Sequence, residues 1–207
     1  MFPGFSLAWS LALAASAGLV LVLGWDQPVA AWVRPWRDGH FVVAWAVLAY
    51  WLGLGWVQAA GLLLLAAWGK LQGRRDLLGL GMTGAVAVGL AGLAVQAGKL
   101  LVGRPRPRME LPVWEYFGPT LSSDLHSFPS GHAATSFAVA AVLAAAWPRA
   151  GWVFYLLAVM VGVGRVLSAS HHLSDVLAGA LLGLLVGWLL AGRFLRARGM
   201  AARSRPA

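Results

Sequence analysis

The sequence holds no cysteine, so it has neither a disulfide framework nor a thiolate that could bind a metal or act as nucleophile. Charge is scarce: 11% of residues are Asp, Glu, Lys or Arg, against about 25% in an average soluble domain. Acids are scarcest, seven against sixteen Lys and Arg. With 60% of residues hydrophobic and a mean hydropathy of +0.74, a 207-residue chain cannot hide its apolar surface in one water-soluble core. The same composition excludes disorder, collagen and a soluble coiled coil. It is that of an integral membrane protein.

A net charge of +9 and a pI near 11.5 raise nucleic acid as a partner. No long basic segment interleaved with aromatics occurs, however. The cations are therefore read as flanks of membrane helices, with the bilayer and not nucleic acid as partner. Twelve Trp fit helix ends anchored at the interface, where the ring is apolar and the N–H reaches water.

A helix needs about 20 mostly apolar residues to cross ~30 Å of hydrocarbon. Phe5 to Gly24 is charge-free. Its Ala14-Ala15-Ser16-Ala17 stretch has the small residues of a signal cleavage site, but no Lys or Arg precedes it, so a retained first span is expected. Phe41 to Trp51 reads as an interfacial helix, with a break at Leu52-Gly53-Leu54-Gly55. Spans are then expected at Leu54 to Gly69, Leu77 to Gly98, Ala133 to Trp147, Gly151 to Gly164 and Val176 to Gly192. The expected fold is all-α and polytopic. Six transmembrane helices form one bundle, with an interfacial helix between the first two, in a single domain over residues 1–207. Gly79, Gly81, Gly84, Gly89 and Gly92 read as close-packing positions between helices, and residues 193–207 as a basic end in water or headgroups. Six spans put both termini on one side, with nine basic residues there against seven opposite. The positive-inside rule then places the termini inside.

Three polar clusters lie at the outer ends of the helices. The first runs from Lys99 to Arg106-Pro107. The second is Ser127-Phe128-Pro129-Ser130-Gly131-His132. The third runs from Arg165 through His171-His172 to Asp175. Lys99, Arg106 and Arg165 supply three cations, and Arg forks match phosphate oxygens. Ser130 is a candidate N-cap whose neighbours offer free backbone N–H groups to an anion, and Gly131 permits close approach. Asp175, four residues after His171, would share a helical face with it and orient its ring. That prepares His171 as a nucleophile, and His132 could act as general acid. The implied reaction is in-line phosphoryl transfer to His171 followed by hydrolysis, with the cations carrying charge that metals carry elsewhere. Asp175 is committed to His171 and the histidines have separate tasks, so no metal and no cofactor is expected. His40 and His126 read as ordinary loop residues, His172 as a neighbour of the site, and Arg104 and Arg108 as contacts for a lipid headgroup.

These clusters resemble the three signature motifs of the type 2 phosphatidic acid phosphatase (PAP2) superfamily. Lys99, Arg106 and Pro107 match Lys-x6-Arg-Pro; Pro129, Ser130, Gly131 and His132 match Pro-Ser-Gly-His. Arg165, His171 and Asp175 match Ser-Arg-x5-His-x3-Asp, with Gly164 in place of the Ser. The resemblance covers about residues 54–192. It implies that His171 is the nucleophile and His132 the general acid, while Lys99, Arg106, Ser130, Gly131 and Arg165 hold the phosphoryl group. It also implies a bacterial inner-membrane lipid phosphatase with a periplasmic site. Undecaprenyl pyrophosphate, phosphatidylglycerol phosphate, phosphatidic acid and lipid A phosphate are all candidate substrates. Two other readings are a vanadate-dependent haloperoxidase, which the apolar spans disfavour, and a lipid-binding or transport protein with a degraded site, which the intact motifs disfavour. Residues 109–126 read as a headgroup loop, and the oligomeric state is open.

Overall fold

The structure, a computed structural model, describes residues 22–203 and residue 18, with side chains described up to residue 195. The expected first span thus lies almost wholly outside the described residues. Those residues form α1 (Asp26–Val33), α2 (His40–Gly53), α3 (Gly55–Leu71), α4 (Arg75–Val102), α5 (Gly131–Ala146), α6 (Gly151–Leu167) and α7 (Leu173–Arg203). Three short 3-10 turns join them, and no strand occurs among them.

Three segments, Arg75–Met109, Pro148–Leu167 and Leu173–Leu195, are long and apolar enough to cross a membrane. The α2–α3 pair makes a fourth if it is one span bent by 51°. Helix α5, at 16 residues, is shorter than an ordinary crossing. Where the sequence reading has an interfacial helix and then a separate span, the structure has two helices that meet at a sharp bend, with the break at Leu54. In an apolar setting the backbone groups freed by a break need partners. The Gln58 side chain answers, donating to the Leu52 carbonyl and the Ser136 hydroxyl, each at 2.8 Å. Helix α1 lies between the apolar runs that begin at Phe5 and Phe41, and the sequence reading had no element there.

Helix α5 sits in the middle, its Ala134, Ala138 and Val142 packed with Ala87, Ala91 and Val95 of α4 and Phe194 of α7. Small residues set the distances. A Cβ at Gly179, Gly183 or Gly187 of α7 would strike the carbonyls of Ser130, Ala134 or Ala138 on α5, so that face lies backbone to backbone. Gly81 and Gly84 of α4 do the same against Leu62 and Ala66 of α3. Gly89 and Gly92, expected to pack, have no neighbour within 4 Å of an added Cβ; they fall on an open face. Helix α4 stops at Gly103, whose φ of 61° and ψ of 45° are left-handed, a conformation glycine takes without strain. Its N–H closes on the Lys99 carbonyl at 3.2 Å. The stop turns the chain so that Lys99 lies in the last turn of the helix and Arg104 to Arg106 follow in the loop.

Candidate active site

The three polar clusters meet at one end of the bundle. The Ser130 N–H donates to the Asp175 carbonyl at 2.9 Å, tying the start of α5 to that of α7. The Arg108 N–H donates to the Ala169 carbonyl at 3.2 Å, tying the loop after α4 to the loop after α6. A Cβ on Gly131 would lie 3.8 Å from Lys99 Nζ.

Behind His171 every carboxylate oxygen is engaged, while Arg104 Nε and His172 Nδ1 are buried without partners. His171 Nδ1 lies 2.7 Å from the Ser127 carbonyl, which can only accept; Nδ1 therefore carries the proton and Nε2 keeps a lone pair. Asp175 Oδ2 is 3.8 Å from the same nitrogen. The direct acceptor is thus a main-chain oxygen and not the carboxylate that the four-residue spacing implied. Two facts explain the difference. His171 precedes α7, which begins at Leu173, so helical spacing does not apply. Asp175 is also occupied: its oxygens accept from Arg104 Nη1, the Ser127 hydroxyl and, at 2.7 Å, the His172 N–H. Burial pushes the His171 pKa down to about 4, with Asp175 pulling it the other way.

Arg104 does not reach the headgroups as the sequence reading had it. It is fully buried between Asp26, at 2.7 Å, and Asp175, with Ser174 Oγ also 2.7 Å from Nη1. A guanidinium removed from water needs such pairing. Asp26, at the start of α1, also accepts from the Ser174 N–H at 2.9 Å and from the Ser174 hydroxyl. Sequence reasoning missed Asp26. The available signal was its position, a lone carboxylate directly after a long apolar run, where an acid is expensive and commonly functional. His172 is buried with Nε2 3.3 Å from the Pro105 carbonyl, and burial lowers its pKa. Arg108 pairs with Asp124 at 2.6 Å, half exposed. His126 donates to the Thr120 carbonyl at 2.8 Å.

In front of His171 the pattern reverses. Among the described residues no carboxylate pairs with Lys99, Arg106 or Arg165. Arg106 reaches only the carbonyls of Ser123 at 3.0 Å and Ser170 at 3.4 Å. Ser130 occupies the N-cap position of α5, but its hydroxyl makes no capping bond. Ser130 Oγ, His132 Nε2 and Arg165 Nε are buried without partners. Buried polar atoms left unpaired are rare and call for a ligand. Three cations and these groups around one histidine fit a tetrahedral oxyanion. Among the described residues no three His, Cys, Asp or Glu side chains gather as a metal site.

A model of the PAP2 superfamily matches residues 80–198, a stretch that holds all three clusters. The chain belongs to the PAP2 superfamily. Among its PAP2 relatives is the lipid A 1-phosphatase of Porphyromonas gingivalis, 33% identical over 127 residues, or 59% of this chain and 24% of that protein. The chain thus spans about a quarter of that relative's length. The lipid A 1-phosphatase of Rhizobium etli is 28% identical over 201 residues, 88% of this chain and 82% of that one. The fold is similar to that of a transmembrane PAP2 type phosphatidylglycerolphosphate phosphatase from Bacillus subtilis. The TM-score is 0.60 at 19% identity, covering 89% of this chain and 96% of that chain.

Proposed function

We propose that this protein is a membrane lipid phosphatase that works through a phosphohistidine. The observation that carries the reading is the contrast around His171. One nitrogen is held by the Ser127 carbonyl at 2.7 Å, while the other side of the site keeps buried, unpaired Ser130, His132 and Arg165 atoms. The PAP2 family and the phosphatases among its relatives support it. In the first half-reaction His171 Nε2 attacks phosphorus in line, the P–N bond forms and the P–O bond to the lipid breaks. His132, protonated, gives its proton to the leaving oxygen. In the second, a water loses a proton to His132 and attacks phosphorus, the P–N bond breaks and phosphate leaves. Lys99, Arg106, Arg165, Ser130 and the Gly131 backbone stabilise the charge on the phosphoryl oxygens. No metal takes part.

The finer reading follows the same line. Six spans, counting the segment before residue 22 and α5, put both termini in the cytoplasm of a bacterial inner membrane and the site toward the periplasm. The substrate is a lipid mono- or diphosphate of the undecaprenyl pyrophosphate, phosphatidylglycerol phosphate, phosphatidic acid or lipid A type. Phosphate release from a panel of these purified lipids, with His171→Ala as control, tests the function. Release from at least one, lost in the variant, is the expected result. Release from none, or near-normal release by His171→Ala, overturns it. An active alkaline phosphatase fused at the C-terminus would overturn the orientation.

A further inference from the structure

Gly164, where the chain departs from the motif it resembles, lies one residue before Arg165 in α6. A Cβ built there would strike the Cβ of Ala49 and come within 3.0 Å of the Trp45 ring, both on α2. The Trp45 indole N–H fastens the same contact, donating to the Met160 carbonyl at 3.0 Å. Gly53, at the end of α2, repeats the pattern. A Cβ there would lie 2.6 Å from Val161 and 2.7 Å from the His132 ring, and the Gly53 carbonyl accepts from Thr135 at 3.2 Å. Helix α2 therefore lies closer to α5 and α6 than a side chain at 164 or 53 would permit.

This close approach delivers Tyr50. Its ring centroid is 5.4 Å from that of His132, and the Arg165 guanidinium carbon stands 5.7 Å from it, within cation–π range. Tyr50 is still 42% exposed, because its remaining surface lines a cavity of about 470 Å³. Val43, Ala46, Val47 and Trp51 of α2 continue that wall, and Arg165 and Ser170 belong to the polar side of the same space. A general acid must stand within hydrogen-bond reach of the oxygen it protonates. Tyr50, whose ring lies against that of His132, therefore flanks the departing alcohol.

We propose that this face of α2 is the leaving-group subsite, taking an alcohol that presents hydrocarbon beside the scissile oxygen, and that Tyr50 touches that group while holding His132 toward it. The inference rests on the phosphatase reading above. Gly164 is then the condition for the subsite, since it lets α2 bring Tyr50 in.

Dodecyl phosphate and p-nitrophenyl phosphate separate the possibilities, because the first leaves as an alkoxide that needs a proton and the second as a stable phenolate. With Tyr50→Ala, kcat/KM should fall at least about tenfold further on dodecyl phosphate than on p-nitrophenyl phosphate, a modest part of what general acid catalysis contributes. Tyr50→Phe, which keeps the ring face, should restore the wild-type ratio of the two. Gly164→Ser makes the chain match the family motif, yet it should show the same selective loss as Tyr50→Ala by pushing α2 away. Equal losses on both substrates, or a Gly164→Ser enzyme as active on dodecyl phosphate as wild type, overturns the subsite. Wild-type enzyme that cleaves p-nitrophenyl phosphate but not dodecyl phosphate also overturns the subsite, and one that cleaves neither of these nor any lipid of the panel overturns the phosphatase reading instead.

Discussion

The two sides of His171 are built on opposite rules. Behind the ring, Asp26, Arg104, Ser174 and Asp175 form a buried chain in which each carboxylate oxygen has a donor. In front, three cations make no ion pair with a carboxylate among the described residues, and a hydroxyl and a ring nitrogen are buried without partners. Carboxylates whose oxygens all have donors fix geometry; cations without a carboxylate partner are free to take an anion. The difference separates residues that position from residues that bind, although both sides are charged and Arg104 of the one lies two residues from Arg106 of the other.

The contrast can be broken by substitution. The largest effect belongs to the ring between the two sides: His171→Ala should lower turnover by more than about a thousandfold, since no covalent step remains, and rapid-quench trapping should show no phosphoenzyme. Arg104→Ala comes next and acts on the fold. It leaves two buried carboxylates facing each other, and breaking a buried pair typically destabilises by about 3–5 kcal/mol. Denaturation in detergent should show that loss together with a loss of activity. Arg165→Ala should behave in the reverse way. Turnover should fall on the order of a hundredfold or more, as for other lost donors to a developing oxyanion, while Tm stays level or rises because an unpaired cation has been removed. If Arg104→Ala kept its Tm and Arg165→Ala lost its own, the two sides would have been assigned backwards.

Acidity sharpens the comparison further. His171 is neutral in the folded protein down to a pKa of about 4. As pH falls through that value the ring gains a proton, Nε2 loses its lone pair and kcat/KM falls. The acid limb due to this residue should therefore lie near pH 4 and not near the ordinary histidine value of about 6.5. Asp175 pulls the His171 value upward, so Asp175→Asn should move that limb lower still while reducing the rate. The smallest expected change is none: turnover should persist in excess EDTA, because in the proposed mechanism Lys99, Arg106 and Arg165 carry the charge on the phosphoryl oxygens. Activity lost to EDTA and recovered with Mg²⁺ would reassign them.

The front of the site was legible in the sequence for a physical reason. In a chain so poor in charge, Lys99, Arg106, Arg165, His132 and His171 stand out at the ends of apolar runs, and their order carries the family motifs. The rear was not. Arg104 finds Asp26 and Asp175 across separations of 78 and 71 residues, which no local spacing records. The acceptor for His171 is a carbonyl, and main-chain oxygens leave no mark in a sequence. Tyr50 lies in an apolar run, where an aromatic reads as an interfacial anchor. The all-helical fold followed from composition. The bend at Leu54 was visible only as a break between Gly53 and Gly55, because its angle depends on how Gln58 and Gly53 meet α5.

Asp26 lies far upstream of residues 80–198, the part that matches the PAP2 model, yet it holds Ser174 across 148 residues. In the order of synthesis, this acid emerges before both of its partners and waits unpaired until Arg104 and then α7 arrive. Nothing behind His171 can close before the last helix is in place, so a chain caught partway through insertion is an inert one. By the same token, a fragment cut to the matching region would keep every motif residue and leave Arg104 with one counter-charge where the whole chain gives it two.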